Sequence, residues 1–304
     1  MVRRKVTGGT AERPLFTDIL GDLIEINEIF LTLRSEGGEV RVPIDEVHRA
    51  KTVPARTTRR AAEIAALELA AARAWPAPVS ERLGDWWLRS AEGFTGRANS
   101  ALPVGDPGLP LPAALDAVAE FYRGLGRTPL IDVPQPLAQP VADAALKAGW
   151  LPDCTVLVQS TALDALIAAT PDGAACTLHD GPSDDELALI AGSRGPLPPA
   201  ALHVLTAVDR LTFARYAEEG RLLARGRGTV TDGWLGLYGI ETVPSARRRG
   251  LAQSVIGRLA RWGAQQGAER AFLQVESSNE TAIALYARLG FATHHRYTRL
   301  ALAA

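Results

Sequence analysis

The chain has 304 residues, 47% of them apolar, more than one hydrophobic core usually organises, which predicts two or three domains. Its 33 basic and 34 acidic side chains nearly cancel, so no global field recruits nucleic acid or an anionic membrane, and any anion site has to be local. No apolar run reaches the eighteen or so residues that span a bilayer, no apolar segment follows Val2-Arg3-Arg4-Lys5, and Cys154 and Cys176 form no metal-type spacing. A soluble cytoplasmic chain with two reduced thiols and no metal is expected.

Residues 15–54 read as short strands over 23–26, 30–33 and 40–43, the last two joined by the turn Glu36-Gly37-Gly38-Glu39. A small antiparallel barrel over 1–56 is expected. Residues 55–74 change to Ala, Leu, Glu and Arg without Gly or Pro, a helix ending near Trp75. Further on, 174–178 is an opening strand. Ser183 and Glu186 have the spacing of a capping box, and 211–216 and 222–226 form a hairpin.

The carboxy-terminal third alternates strand and helix. A strand over 234–242 closes at Pro244. A helix over 251–266 carries Leu251, Val255, Leu259 and Trp262 on one stripe and stops at Gly267. Residues 271–275 make a buried strand, 279–289 a helix stopped by Gly290, and 293–302 a last strand. An earlier stretch follows the same order, with helices over 112–125 and up to Ala148 and strands over 129–133 and 155–158, and Gly149-Trp150 matches Gly290-Phe291 at an offset of 141 residues. Two readings stand: a true repeat, which requires one topology in 80–160 and 232–302, or two αβ stretches alike by chance.

Arg247-Arg248-Arg249-Gly250-Leu251-Ala252 joins a strand to an amphipathic helix. Unpaired N–H groups and the positive dipole end at such a junction favour a phosphate, Gly250 permits close approach and the arginines add charge-assisted bonds. Solvated arginines after a proline turn are the plain alternative.

At this point the sequence resembles the GNAT superfamily of N-acetyltransferases. Arg247, Gly250 and Ala252 match its Arg/Gln-x-x-Gly-x-Gly/Ala signature. Asn279 followed by Leu285-Tyr286-Ala287-Arg288-Leu289-Gly290-Phe291 matches its second pattern. The resemblance covers about 174–304 and implies a mixed α/β acetyltransferase fold that transfers an acetyl group from acetyl-CoA to a primary amine. It implies that residues 247–252 hold the CoA pyrophosphate and that Ile240 and Thr242 offer backbone groups to the pantetheine arm and thioester. The whole chain resembles a three-part, actinobacterial-type acetyltransferase: a Src-homology-3-like barrel (1–56), a degenerate GNAT-like half (57–165) and a catalytic domain (170–304). The degenerate half has Ala145 opposite Tyr286 and Leu109-Pro110-Leu111 opposite the glycine loop.

Acetyl transfer needs a neutral amine, donors for an oxyanion and a proton for the departing thiolate. Tyr286, with an ordinary pKa of about 10 against roughly 8.5 for a thiol, suits the last task, and cleft packing is its other reading. Asn279 is either a helix cap or a CoA contact. Some relatives use a glutamate where this chain has Gln274, which leaves Glu241, Glu276 or a water chain as the base. Trp86-Trp87 and the run 93–100 nominate Trp87, Arg97 and Asn99 for the amine side, with core packing as the alternative. His294-His295 alternate faces of a strand with no carboxylate at ligand spacing, so both are expected at a surface or groove. A rival function is an acetyl-CoA-sensing module whose barrel contacts a protein or nucleic acid. Against nucleic acid stands the mixing of acids and bases over 1–60.

Overall fold

Alternating apolar and polar residues near the amino terminus fold as antiparallel ladders. The computed structural model describes residues 1–6, 15–35, 37–51 and 55–303, and excludes the side chains of 55–58 and 194. Glu36 of the expected turn and residues 52–54 therefore lie outside the described residues. Six strands, β1 (Val2–Val6), β2 (Leu15–Ile19), β3 (Asp22–Ile26), β4 (Phe30–Ser35), β5 (Gly38–Pro43) and β6 (Val47–Ala50), form two three-stranded sheets, ordered β2-β1-β6 and β3-β4-β5. Val2, Leu31, Leu33 and Val42 supply their common core. The expected strands over 23–26, 30–33 and 40–43 are β3 to β5. Strands β1 and β6 give no clear sequence signal because each is short and half polar, VRRKV and VHRA.

This part belongs to one compact unit, Met1–Arg60, and the rest of the chain forms a second, Ala61–Ala304. Helix α1 (Ala55–Ala74) leads into β7 (Val79–Leu83), β8 (Trp86–Ser90), β9 (Ala101–Leu102), α2 (Leu111–Gly124), β10 (Leu130–Gln135), α3 (Gln139–Lys147) and β11 (Leu151–Ala162). Then come α4 (Leu163–Ala169), β12 (Cys176–His179), α5 (Asp184–Arg194), α6 (Ala200–Thr206), β13 (Leu211–Glu218), β14 (Arg221–Thr231) and β15 (Trp234–Thr242). The chain closes with α7 (Leu251–Gln265), β16 (Arg270–Glu276), α8 (Glu280–Arg288) and β17 (Ala292–Ala301). Ser183 caps α5 through the expected box: its hydroxyl accepts from Glu186 N at 3.3 Å, and Glu186 Oε2 accepts from Ser183 N at 2.9 Å.

All eleven strands of the second unit share one mixed sheet, ordered β12-β13-β14-β15-β16-β11-β17-β10-β9-β8-β7. The runs β9-α2-β10-α3-β11 and β15-α7-β16-α8-β17 have one topology, each opening with a parallel pair, β9 with β10 and β15 with β16. Their last strands are exchanged. Strand β11 of the first run pairs with β16 of the second, β17 of the second pairs with β10 of the first, and β11 and β17 pair with each other. This is a tandem arrangement whose two halves share a continuous ladder, so neither half has a complete sheet without the other.

Helix α7 buries Leu251, Val255, Ile256, Leu259 and Ala260, each large aliphatic contributing roughly 1.5–3 kcal/mol. It lies close to β14 because that strand offers glycines: a Cβ at Gly226 would meet Ile240 and Val255, and one at Gly228 would meet Leu259 and Trp262. On its other side, Arg261 donates to the carbonyls of Ile167 in α4 and of Thr170 and Pro171 just beyond it. Gly257 makes this approach possible, since a Cβ there would collide with Pro171 O and press on Thr170. Helix propensity alone predicts that Gly257→Ala stabilises the protein by about 1 kcal/mol. Packing predicts a loss of roughly 1–3 kcal/mol, read as a lower unfolding midpoint in a denaturant titration.

Candidate active site

Strands β15 and β16 run side by side only from Trp234↔Arg270 to Leu237↔Leu273. Beyond that point β15 stays with β14 and β16 stays with β11 up to Val156↔Glu276, so the two strands part. The departure coincides with a bulge. Between Arg227↔Tyr238 and Arg225↔Glu241, β15 holds one residue more than β14, and Gly239 takes φ +56°. A left-handed glycine at such an insertion bends the strand and re-aims its remaining residues. The edge of β15 that faced β16 is thereby unpaired along Ile240 and Thr242.

The loop from Arg247 to Gly250 turns into α7 through two left-handed residues, Arg248 at φ +65° and Gly250 at φ +79°. Gly250 is the N-cap, no side chain caps the helix and no acid occupies its first turn. The N–H groups of Leu251, Ala252 and Gln253 therefore point out of the helix start without an internal acceptor. Three arginines were expected here to serve one anion, and the structure divides them. Arg249 is ion-paired with Glu218, Arg247 Nε reaches Thr242 O at 3.5 Å, and Arg248 has no side-chain partner among the described residues.

Tyr286 sits on α8 in the same core as α7 and packs edge-on against Phe291 at 5.9 Å. Its hydroxyl makes no hydrogen bond among the described residues, and burial pushes its pKa up to about 12. Asn279 is the N-cap of α8, its Oδ1 accepting from Ala282 N at 3.1 Å.

A cleft of about 210 Å³ opens beside the bulge, lined by Trp75, Thr95, Arg225, Arg227, Tyr238 and Glu241 among others. Arg225 holds Glu241 through Nε at 3.1 Å and Nη2 at 2.7 Å, both to Oε2, which leaves Oε1 without a partner among the described residues. Glu276 is exposed at the far end of β16 and lines no part of this cleft. Trp75 and Tyr238 stack at 4.9 Å, and Trp75 Nε1 donates to Thr95 Oγ1 at 2.9 Å.

The residues nominated for the acceptor side separate. Arg97 lies over the rings of Trp75 and Tyr238. Trp87 lies elsewhere, packed with Leu102 and Val104 and covered by Arg82 at 3.9 Å. Asn99 is buried and fully engaged by its own loop. Its Oδ1 accepts from Ala91 N and Gly93 N, both at 2.9 Å, and its Nδ2 donates to Phe94 O and Thr95 O at 3.0 and 2.8 Å. That amide shapes the cleft wall and has no capacity left for a ligand. Glu92 ties the same loop to α6 by accepting from Ala200 N at 3.0 Å.

The expected surface or groove position is corrected for His295, while His294 is half-buried. His295 is buried on β17, in the middle of the sheet, with Nε2 at 2.6 Å from Glu68 Oε1 of α1 and Nδ1 at 2.8 Å from His294 Nδ1. Its carboxylate partner is 227 residues away, beyond any spacing rule. Sequence reasoning also passed over Arg225 and Arg227, although Ala224-Arg225-Gly226-Arg227-Gly228 carries the period-two signal that sets arginines on one face and glycines on the other.

A parallel strand pair that separates at a bulge, beside an uncapped basic helix start, is the architecture expected of GNAT N-acetyltransferases, and the fold as a whole matches solved structures of that class. A GCN5-related N-acetyltransferase from Kribbella flavida superposes with a TM-score of 0.60 at 16% identity, over 79% of this chain and 96% of that one. A tandem GNAT protein from the clavulanic acid biosynthesis pathway gives 0.51 at 16% identity, over 78% and 86%.

The sequence narrows the class further. Residues 61–300 match the family described as the C-terminal part of the probable histone acetyltransferase Rv0428c, and the chain belongs to that family of N-acetyltransferases. The uncharacterized N-acetyltransferase YobR of Bacillus subtilis (strain 168) is 31% identical over 253 residues, 77% of this chain and 98% of the relative. The probable histone acetyltransferase Rv0428c of Mycobacterium tuberculosis (strain ATCC 25618 / H37Rv) is 31% identical over 294 residues, 93% and 88%.

Asn99→Asp tests the architecture of the cleft wall. It keeps shape and Oδ1 but turns a donor to two carbonyls into an acceptor. The expected cost is about 2 kcal/mol or more, measured by equilibrium denaturation.

Proposed function

We propose that the second half is the catalytic one and that it transfers an acetyl group from acetyl-CoA to a primary amine by direct attack on the thioester. In this reading 170–304 is the catalytic domain, 57–165 a degenerate half without its own CoA site, and 1–56 an accessory barrel. The observation that carries it is the conjunction of the parted strands β15 and β16 with the uncapped start of α7.

The residues present suit CoA. The N–H groups of Leu251, Ala252 and Gln253 with the unpaired Arg248 receive the pyrophosphate, and Gly250 leaves room for close approach. Arg247 and Arg249 brace the loop through Thr242 and Glu218 and add positive field. Ile240 and Thr242 present the free strand edge to the pantetheine arm, and Asn279 Nδ2 remains available at the start of α8. The corresponding positions of the first half differ: α2 starts after Pro110, and Ala145, opposite Tyr286, is fully buried.

Acetyl-CoA, when bound, supplies an activated acetyl carbonyl. Glu241 takes the proton that the substrate ammonium must lose before it can attack as the neutral amine, passes it to solvent, and takes the second proton that the nitrogen sheds as the amide forms, because it lines the cleft with one carboxylate oxygen unengaged. Backbone donors of the β15 edge stabilise the developing oxyanion. Tyr286 gives its phenolic proton to the sulfur as the carbon–sulfur bond breaks, and regains one from solvent. The products are an amide and a thiol.

Glu241→Gln is expected to lower kcat about 10²-fold or more in a thiol-release assay, while Glu276→Gln stays within about twofold. Equal losses in both would remove Glu241 from this role. The raised pKa of Tyr286 keeps the proton-donating form dominant until the pH approaches 12, so this group imposes no fall in kcat between about pH 8 and 10. A rate that falls through pH 9–10 in the wild type and not in Tyr286→Phe would contradict that assignment.

A further inference from the structure

We propose that the acceptor amine also carries a compact anionic group, in the first instance a carboxylate, which Arg97 and Arg227 bind beside the Trp75–Tyr238 stack. This rests on the acetyltransferase reading above and names the class of acceptor.

Arg227 is 1% exposed, lines the cleft and has no carboxylate partner among the described residues. It donates to Leu205 O at 2.8 Å, Ala74 O at 3.2 Å and Val204 O at 3.5 Å, three of the five N–H donors of a guanidinium. Those carbonyls sit at the C-terminal ends of α6 and α1, whose partial negative charge offsets some of the cation. Arg97 has less support. Its guanidinium makes no hydrogen bond or ion pair among the described residues, and its Nε is buried without an acceptor. Arg97 lies 5.7 and 5.5 Å from the Trp75 and Tyr238 ring centres, and Arg227 lies 4.9 and 5.3 Å from the same two. Two like charges thus flank one aromatic pair. Burial first, and then the charge of Arg97, pull Arg227 down to about 10.

The carboxylates of the cleft and of the elements near it each have a partner, Glu241 keeping only Oε1 unengaged. Glu241 is held by Arg225, Asp132 by Arg299 and Ser100, and Glu68 by His295. Two arginines therefore remain without a counter-ion among the described residues, Arg227 in the buried wall of the cleft and Arg97 beside the same aromatic pair. Buried charges of this kind are ordinarily paired, and guanidinium forks match a planar carboxylate. The Trp75–Tyr238 stack gives the aliphatic part of such a ligand an apolar surface, and Glu241 lies in the same cleft to receive the amine. A lysine-rich peptide brings further positive charge to this wall and is disfavoured.

The test uses the full-length protein with acetyl-CoA and matched acceptors: ω- and α-amino acids, their carboxamides, aminoalkyl sulfonates and phosphonates, and a lysine-rich peptide. Acetyl-CoA binding is followed separately by calorimetry. The expected result is that carboxylate-bearing amines exceed their carboxamides by at least about tenfold in kcat/KM and raise the melting temperature more. Arg97→Gln brings that ratio close to one, and Arg97→Lys restores part of it. A stronger response to the sulfonates or phosphonates keeps the anion site and reassigns the anion. Equal use of acid and carboxamide, preference for the peptide, or no carboxylate dependence in either turnover or melting temperature overturns this inference while acetyl-CoA still binds. Failure to bind acetyl-CoA overturns the acetyltransferase reading itself.

Discussion

The site depends on one constraint, that β15 and β16 are each held by an outer neighbour while they release each other. Strand β15 follows β14 through the extra residue at Gly239, and β16 follows β11 as far as Glu276. Two adjacent parallel strands ordinarily satisfy each other's backbone groups, so parting them inside a sheet is costly unless something replaces the lost bonds. In the proposed reading the opening is a prepared edge for a ligand with its own amide-like groups. The restraint on β16 comes from β11, a strand of the first half. That gives the first half a structural necessity: without the exchanged strand, β16 has no partner on the side away from β15.

Charge distribution follows from the same architecture. The period-two run of β14 sends Arg225 and Arg227 to the cleft face while Gly226 and Gly228 admit α7 on the other. One helix is drawn close enough to present its N-terminus at the mouth of the opening, and two guanidinium groups are placed at the cleft wall. Arg225 sets Glu241, and Arg227 braces the C-terminal ends of α1 and α6. A buried network of Asp132 with Arg299 and Ser100 ties β10 and β17 to the loop that carries Arg97.

Local features of this protein are legible in its sequence. The helix start at Gly250, the capping box of α5, the full extent of β15 and the helix–strand order of α2-β10-α3-β11 and α7-β16-α8-β17 follow from residues within one or two turns of each other. The features that escape such a reading depend on contacts distant in sequence. The exchange of β11 and β17 leaves the pattern of either strand unchanged. Burial of His295 depends on Glu68, and the role of Asn99 depends on a loop fold that lets one amide bind four backbone groups. Two local signals do mark the site. Gly239 interrupts an otherwise regular strand, which is how a bulge announces itself, and the arginine–glycine alternation of β14 marks opposite faces.

Amide hydrogen exchange with and without acetyl-CoA tests the central claim most directly, because the account makes backbone N–H groups of one opening and one helix start the receptors. Slower exchange is predicted at 240–242 and 248–253, with residues 103–113 of the first half unchanged. Acetyl-CoA binding that left 240–242 and 248–253 unprotected, or that protected the first half instead, would contradict it.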